Sequence, residues 1–213
     1  MAEAVTIRDL RGDDRAGFLL VMAQAFERDP LFVATFGEKR GDGSRVSVLT
    51  FLSFMFDMNR LMGGTPRGLF VGGRLVACTL LEPPAASALV AKGRLIVSAL
   101  RFLPVAFVLP SHATVFLNDY TQRTRAAAPS CPHNYLAMLG VHPDMQGFGF
   151  GRRMMHDAVE RTRTDDRTRG IALDTENEAN VRLYERWGFR KIVSLKLGDI
   201  DAHCMFLPLG DET

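Results

Sequence analysis

Cysteine is scarce. The chain of 213 residues holds three, Cys78, Cys131 and Cys204, widely spaced and with no CxxC pair. That excludes a disulfide framework and argues against a zinc site, and it suits a reducing, cytoplasmic setting. A surplus of one charge is also missing. Lys and Arg number 26 against 24 Asp and Glu, a net charge of +2, where a nucleic-acid binder carries a strong basic excess. No apolar run is long enough for a membrane span. Leu95 to Leu109 is 15 residues, contains Arg101 and is interrupted by Pro104, while a span needs about 20 apolar residues, so the stretch reads as buried or partly buried helix. Residues Met1 to Thr6 are polar and acidic where a signal peptide is basic and then apolar, so no leader is expected.

What is there is the composition of a folded domain. Hydrophobic residues make up 47% and charged residues 23%, which excludes disorder and low complexity. A chain of this mass buries roughly 70% of its unfolded surface, enough for one domain over 1–213 with a core that needs no metal or disulfide.

The hydrophobic pattern alternates between periods. Val5 to Arg8 reads as a strand. Asp13-Asp14 precede a helical spacing at Phe18, Met22, Ala25 and Phe26, and Asp29-Pro30 is expected to end it. Ser44 is a candidate cap for a helix to about Arg60, with Phe51, Leu52, Met55, Phe56 and Met58 on a broad apolar face. Leu69 to Val71 and Arg74 to Leu81 form a hairpin around Gly72-Gly73. Residues 85–127 read as helices broken near Pro104 and Pro110. Tyr135 to Val141 is a nearly unbroken apolar run, as a central strand buried on both faces would be. A helix from about Gly149 to Arg163, a strand at Ile171 to Leu173, a helix over 178–187 and strands at Val193 to Leu197 and Cys204 to Leu207 complete one mixed α/β chain.

Two motifs carry chemistry. The first is Val141-His142-Pro143-Asp144-Met145-Gln146-Gly147-Phe148-Gly149-Phe150-Gly151-Arg152, a buried strand running into a turn with glycine at every second position and then a helix. Glycine permits positive φ and close approach of backbone to a ligand. The unpaired N–H groups at the helix start, at the positive end of its dipole, form an anion site suited to phosphate or pyrophosphate. The spacing G-x-G-x-G is neither the dinucleotide G-x-G-x-x-G nor a P-loop. Three glycines alone also suit a tight turn with no ligand. The second motif lies about 30 residues on, where Asn180 and Tyr184 share a helix face at i, i+4. A tyrosine beside a helix-borne amide near a phosphate turn suggests a proton donor and a clamp, although Tyr184 alone would also suit half-buried packing.

In this order the motifs resemble the Gcn5-related N-acetyltransferase (GNAT) superfamily. Its pattern V-x-P-x-x-Q-G-x-G-x-G falls on Val141, Pro143, Gln146, Gly147, Gly149 and Gly151, and N-x-x-x-Y-x-x-x-G-F on Asn180, Tyr184, Gly188 and Phe189. Tyr135-Leu136-Ala137 and Tyr184 to Phe189 look most like the puromycin N-acetyltransferase-type branch. The specific match spans about 135–190. The resemblance implies an α/β fold with a central mixed, mostly antiparallel sheet of about seven strands flanked by helices, here with a helical insertion at about 85–127. It implies acetyl-CoA as co-substrate and no metal. The pyrophosphate would rest on backbone N–H groups from Gln146 through Gly147, Phe148, Gly149 and Gly151 to Arg152. The pantetheine arm would pair with the backbone of Leu139 and Val141, and Asn180 and Asn177 would contact the cofactor arm.

The implied reaction is direct attack of an amine on the thioester, with no covalent enzyme intermediate. Tyr184 would protonate the leaving thiolate, and a backbone N–H on the Leu139–Val141 strand would hold the oxyanion. The amine needs a base, for which His133 is the first candidate, followed by Glu82, Asp119 and His203 or a water chain. Cys204 has no base at a recognisable spacing and reads as a small buried hydrophobe. In this family the N-terminal helices wall the acceptor site, so Phe51, Phe54, Met55 and Met58 lean toward a bulky or partly apolar small-molecule amine, unless they are core. A protein N-terminus or lysine as acceptor, and a non-catalytic acyl-CoA sensor, stand as alternatives. Neither a nucleic-acid partner nor a membrane span is expected, and a homodimer is left open.

Overall fold

The computed structural model describes residues 3–37, 42–84, 93, 97, 102, 105–109 and 111–209. Along the chain they form β1 (Val5–Asp9), α1 (Arg15–Ala25), α2 (Pro30–Phe36), α3 (Asp42–Leu61), β2 (Arg67–Val71), β3 (Arg74–Glu82) and α4 (Ser111–Ala126). Then follow β4 (Asn134–Val141), α5 (Phe150–Arg163), β5 (Gly170–Thr175), α6 (Glu178–Arg186), β6 (Arg190–Leu197) and β7 (Ile200–Pro208). The strands make one seven-stranded sheet in the order β1-β2-β3-β4-β5-β7-β6. Every neighbouring pair is antiparallel except β4 with β5. This is the mixed, mostly antiparallel α/β architecture expected from the sequence.

Local chemistry sets most element ends. Gly72 and Gly73 take φ of 56° and 83°, which a tight hairpin turn requires of both central residues. One expectation changes: α1 already stops at Ala25, and Asp29-Pro30 begins α2 rather than ending α1. Asp29 Oδ1 accepts from the N–H groups of Leu31 (3.1 Å) and Phe32 (3.3 Å). Pro30 occupies the first helical position, where a missing N–H costs nothing.

The helices cover both faces. On one face, Phe18 and Met22 of α1, Phe32 of α2 and Leu52 and Phe56 of α3 pack against Leu80 and Met138 of the sheet. On the other, Met155 and Ala158 of α5 and Val181 of α6 pack against Ile171, Leu173 and Met205. The aromatic face of α3 is core: Phe51 packs against Phe32 and Phe36, and Phe54 against Phe102. Much of the 85–127 segment lies outside the described residues; its final helix α4 packs against α2 and β6. Among the described residues no helix is long and apolar enough to cross a membrane.

The sheet opens in its middle. Leu80 pairs with Met138 and Leu81 with Leu136, so Ala137 is an extra residue that bends β4. β4 and β5 pair only at Asn134 with Ile171 and Tyr135 with Ala172, and then part. Gly140 lets α1 lie close on the diverging end of β4, since a Cβ there would come 2.7 Å from the Met22 sulfur and 3.0 Å from Ala25 Cβ.

Candidate active site

Where β4 and β5 part, a cleft of about 960 Å³ opens. The α1–α2 connection from Gln24 to Asp29 makes one wall, and Asn177, Asn180 and Tyr184 make the opposite one. Leu139 to Val141 run between them, and the glycine turn closes one end.

The turn is built residue by residue. Pro143–Met145 form a 3-10 turn, and His142 Nδ1 accepts from the Asp144 N–H at 3.3 Å. Gln146 Nε2 donates to the Val141 carbonyl at 3.2 Å, so its amide braces the loop. Gly147 and Gly149 have φ of 82° and 79°, in the left-handed region that disfavours a side chain. The Arg153 N–H donates to the Gly149 carbonyl at 3.1 Å, the first helical bond of α5. The N–H groups of Phe150, Gly151 and Arg152 therefore have no intrahelical acceptor and lie at the positive end of the helix dipole. A Cβ on Gly151 would meet only Val141 Cγ2 at 3.6 Å and Leu139 Cδ2 at 3.9 Å, so the glycine keeps cleft space rather than relieving a clash. Phe148 is 70% exposed, stacks on Phe150, and does not line the cleft.

β4 offers its edge to the cleft. The His142 N–H donates to Val76 of β3 at 2.8 Å. In an antiparallel ladder the polar groups alternate sides, so those of Val141 and Leu139 point away from β3 toward the opening.

On α6, Asn177 is the cap, its Oδ1 accepting from the Ala179 N–H at 2.8 Å. Asn180 Nδ2 reaches Thr175 Oγ1 at 3.4 Å. Tyr184 is half-buried, held edge-on by Trp187 and tilted against Phe189, both with ring centroids at 5.6 Å. Its hydroxyl has no hydrogen-bond partner among the described residues. Burial, and then the charges of Asp174, Glu176 and Asp29, push the phenol well above its ordinary range, so it keeps its proton at neutral pH.

The candidate bases are scattered. His133 lies just before β4, outside the cleft lining, where Nδ1 donates to the Cys131 carbonyl at 2.7 Å and the ring faces Tyr135 and Phe206. Glu82 is paired with Arg125 at 2.7 Å. Asp119 is exposed beside Arg123 at 3.7 Å. His203 is buried between Ser194 Oγ at 2.8 Å and Glu178 at 3.1 Å. Cys204 is buried.

Sequence reasoning gave no role to an acidic network at the end of β5. Asp174, at the end of β5, accepts from the hydroxyls of Tyr135 and Tyr120. Tyr120 also contacts Glu176. One hydroxyl has one proton, so holding both carboxyl groups requires a shared carboxyl proton. Burial, and then Asp174 and Asp29, raise Glu176 to about 8, which supplies it. An acid closing the buried run Ile171-Ala172-Leu173-Asp174 was the available sign.

A sequence model described as acetyltransferase (GNAT) domain matches residues 113–191. No curated protein matches the chain. A histone acetyltransferase-related acetyltransferase from Corynebacterium glutamicum superposes at TM-score 0.68 with 17% identity, over 100% of both chains. The yncA protein of Salmonella typhimurium, solved with its cofactor acetyl-CoA, gives 0.56 with 17% identity over 99% of this chain and 96% of that one. The Drosophila melanogaster polyamine N-acetyltransferase that forms N-acetylagmatine gives 0.56 with 18% identity over 95% and 98%. Over residues 113–191 the chain is thus similar to the acetyltransferase (GNAT) domain, and it shares its fold with those solved acetyltransferase structures.

Proposed function

We propose that the protein transfers an acetyl group from acetyl-CoA to the primary amine of a small molecule, without a covalent enzyme intermediate. The observation that carries this reading is one cleft with an anion-binding turn at one end, a free strand edge along its length and Tyr184 on its wall. The turn's N–H groups suit a pyrophosphate. The outward N–H and C=O of Leu139 and the N–H of Val141 suit the amides of an extended pantetheine arm, while the Val141 carbonyl accepts from Gln146 Nε2. Asn180 faces the same channel, and Asn177 and Arg152 flank it. Phe148 contributes its backbone to the turn.

The chemistry follows from these positions. The amine attacks the thioester carbon, and an N–H on the open edge of β4 holds the oxyanion. The C–S bond breaks as Tyr184, kept protonated by its surroundings, gives the sulfur a proton. The aromatic face of α3 is spent on the core, so the lean toward a bulky apolar acceptor loses its support. Glu27 and Asp29 on the α1–α2 wall of the cleft favour a compact cationic amine instead.

A thermal-shift titration tests the donor. At 100 times Kd, acetyl-CoA should add about 2.7 kcal/mol, or roughly 5–10 °C for a domain this size, with ATP and NAD inert. Tyr184→Phe should keep that shift and release thiol at least tenfold more slowly. No shift with any CoA species would end the transferase reading.

A further inference from the structure

Resting on the transferase reading above, we propose that Asp29 is the catalytic base, taking the proton of the acceptor ammonium at the cleft wall opposite Tyr184. The α1–α2 connection places it there. Asp29 lines the cleft, which His133, Glu82, Asp119 and His203 do not. Its carboxylate is divided by its own cap: Oδ1 is held by the Leu31 and Phe32 N–H groups. Oδ2 has no partner among the described residues and is not sealed from solvent, so it is the oxygen left for a ligand.

Its surroundings suit the task. The groups facing it are Asp174 and Glu176 at the end of β5 and Tyr184 on α6, with Tyr120 of α4 behind Glu176 and with Glu27 and Arg28 on its own connection. Burial raises the Asp29 carboxyl to about 6, with Asp174 adding to the rise and the two cap bonds opposing it. At neutral pH it is ionised, yet it is a stronger base than an exposed aspartate. The neighbouring Glu176 holds a proton, so the network can admit one ammonium beside Asp29 without carrying three full negative charges.

The protons balance. Asp29 takes one from the ammonium, and the neutral amine forms the C–N bond. As the C–S bond breaks, Tyr184 gives its proton to the sulfur, and the second amine proton returns to the phenolate. Asp29 releases its proton to solvent through the open cleft, leaving the acetylated amine, free CoA and one proton.

The test uses Asp29→Asn and Asp29→Ser in the full chain, because asparagine and serine both retain the helix cap while removing the base. Thiol release is followed with acetyl-CoA and two acceptor probes, agmatine and tryptamine. Both variants should show the wild-type thermal shift with acetyl-CoA. Their kcat should fall about 10²–10⁴-fold with KM for acetyl-CoA within about twofold, and the acidic limb of kcat/KM near pH 6 should vanish. Variants that turn over within about threefold of wild type, or that keep that limb, overturn the assignment while leaving the transferase reading intact. If wild type neither shifts with acetyl-CoA nor releases thiol, the transferase reading falls and this assignment falls with it.

Discussion

A carboxyl group buried beside other carboxyls must hold a proton or destabilise the fold, and Glu176 holds one. Its folded value of about 8 lies above the ordinary 4.5. Between those values the folded protein keeps a proton that the unfolded chain has lost, so stability falls as pH rises through the window. Glu176→Gln keeps a donor for the Tyr120 hydroxyl and removes the penalty. Melting curves at pH 8.5 should show the variant more stable than wild type by about 1–3 kcal/mol, roughly 2–10 °C, with the difference shrinking toward pH 5. A gap of equal size at both pH values would assign the gain to packing.

At the scale of elements, two glycines separate packing from binding. Gly140 sits under α1, and Gly140→Ala drives a methyl toward Met22, Ala25 and Phe26. The variant should lose about 1–3 kcal/mol, seen as a lower Tm. Gly151 lies in the first turn of α5, where a methyl would make only ordinary van der Waals contacts. Gly151→Ala should keep or slightly raise Tm, by up to about 1 kcal/mol from helix propensity, and weaken acetyl-CoA binding because the methyl enters the cleft. Calorimetric titration beside melting curves distinguishes the two. α2 carries the same lesson in sequence. Asp29-Pro30 reads as a stop after α1, but aspartate before proline is equally a start, and which of the two applies depends on whether the following apolar residues find a partner. Phe32 finds the core.

For the whole molecule, the decisive property is that the sheet is joined at its centre by two residue pairs and open beyond them. An extended ligand arm lying in the opening would bond to the outward groups of β4 alone. Saturating acetyl-CoA should therefore slow hydrogen exchange at Leu139 and Val141 while leaving Gly140, already directed toward β3, nearly unchanged. Equal protection of all three would mean general stiffening rather than strand addition.

How much of this the sequence could give depends on the range of the interaction. The alternation of strand and helix, the hairpin at Gly72-Gly73, the buried run of β4 and the glycine turn are local patterns of polarity and backbone freedom, and they can be read one segment at a time. So can the shared face of Asn180 and Tyr184, because helical spacing fixes it. The place of His133 could not be read, since it depends on which end of β4 borders the cleft. Nor could the meeting of Asp29, Tyr120, Tyr135, Asp174 and Glu176, which are brought together from segments far apart along the chain. Their protonation depends on mutual burial, a quantity with no local trace in the chain. The sequence by itself determined the sheet-and-helix order and the glycine turn, because these rest on neighbours along the backbone. The tertiary structure alone decided the splay of β4 from β5 and the carboxylates beside it, because both arise from contacts between residues far apart in sequence.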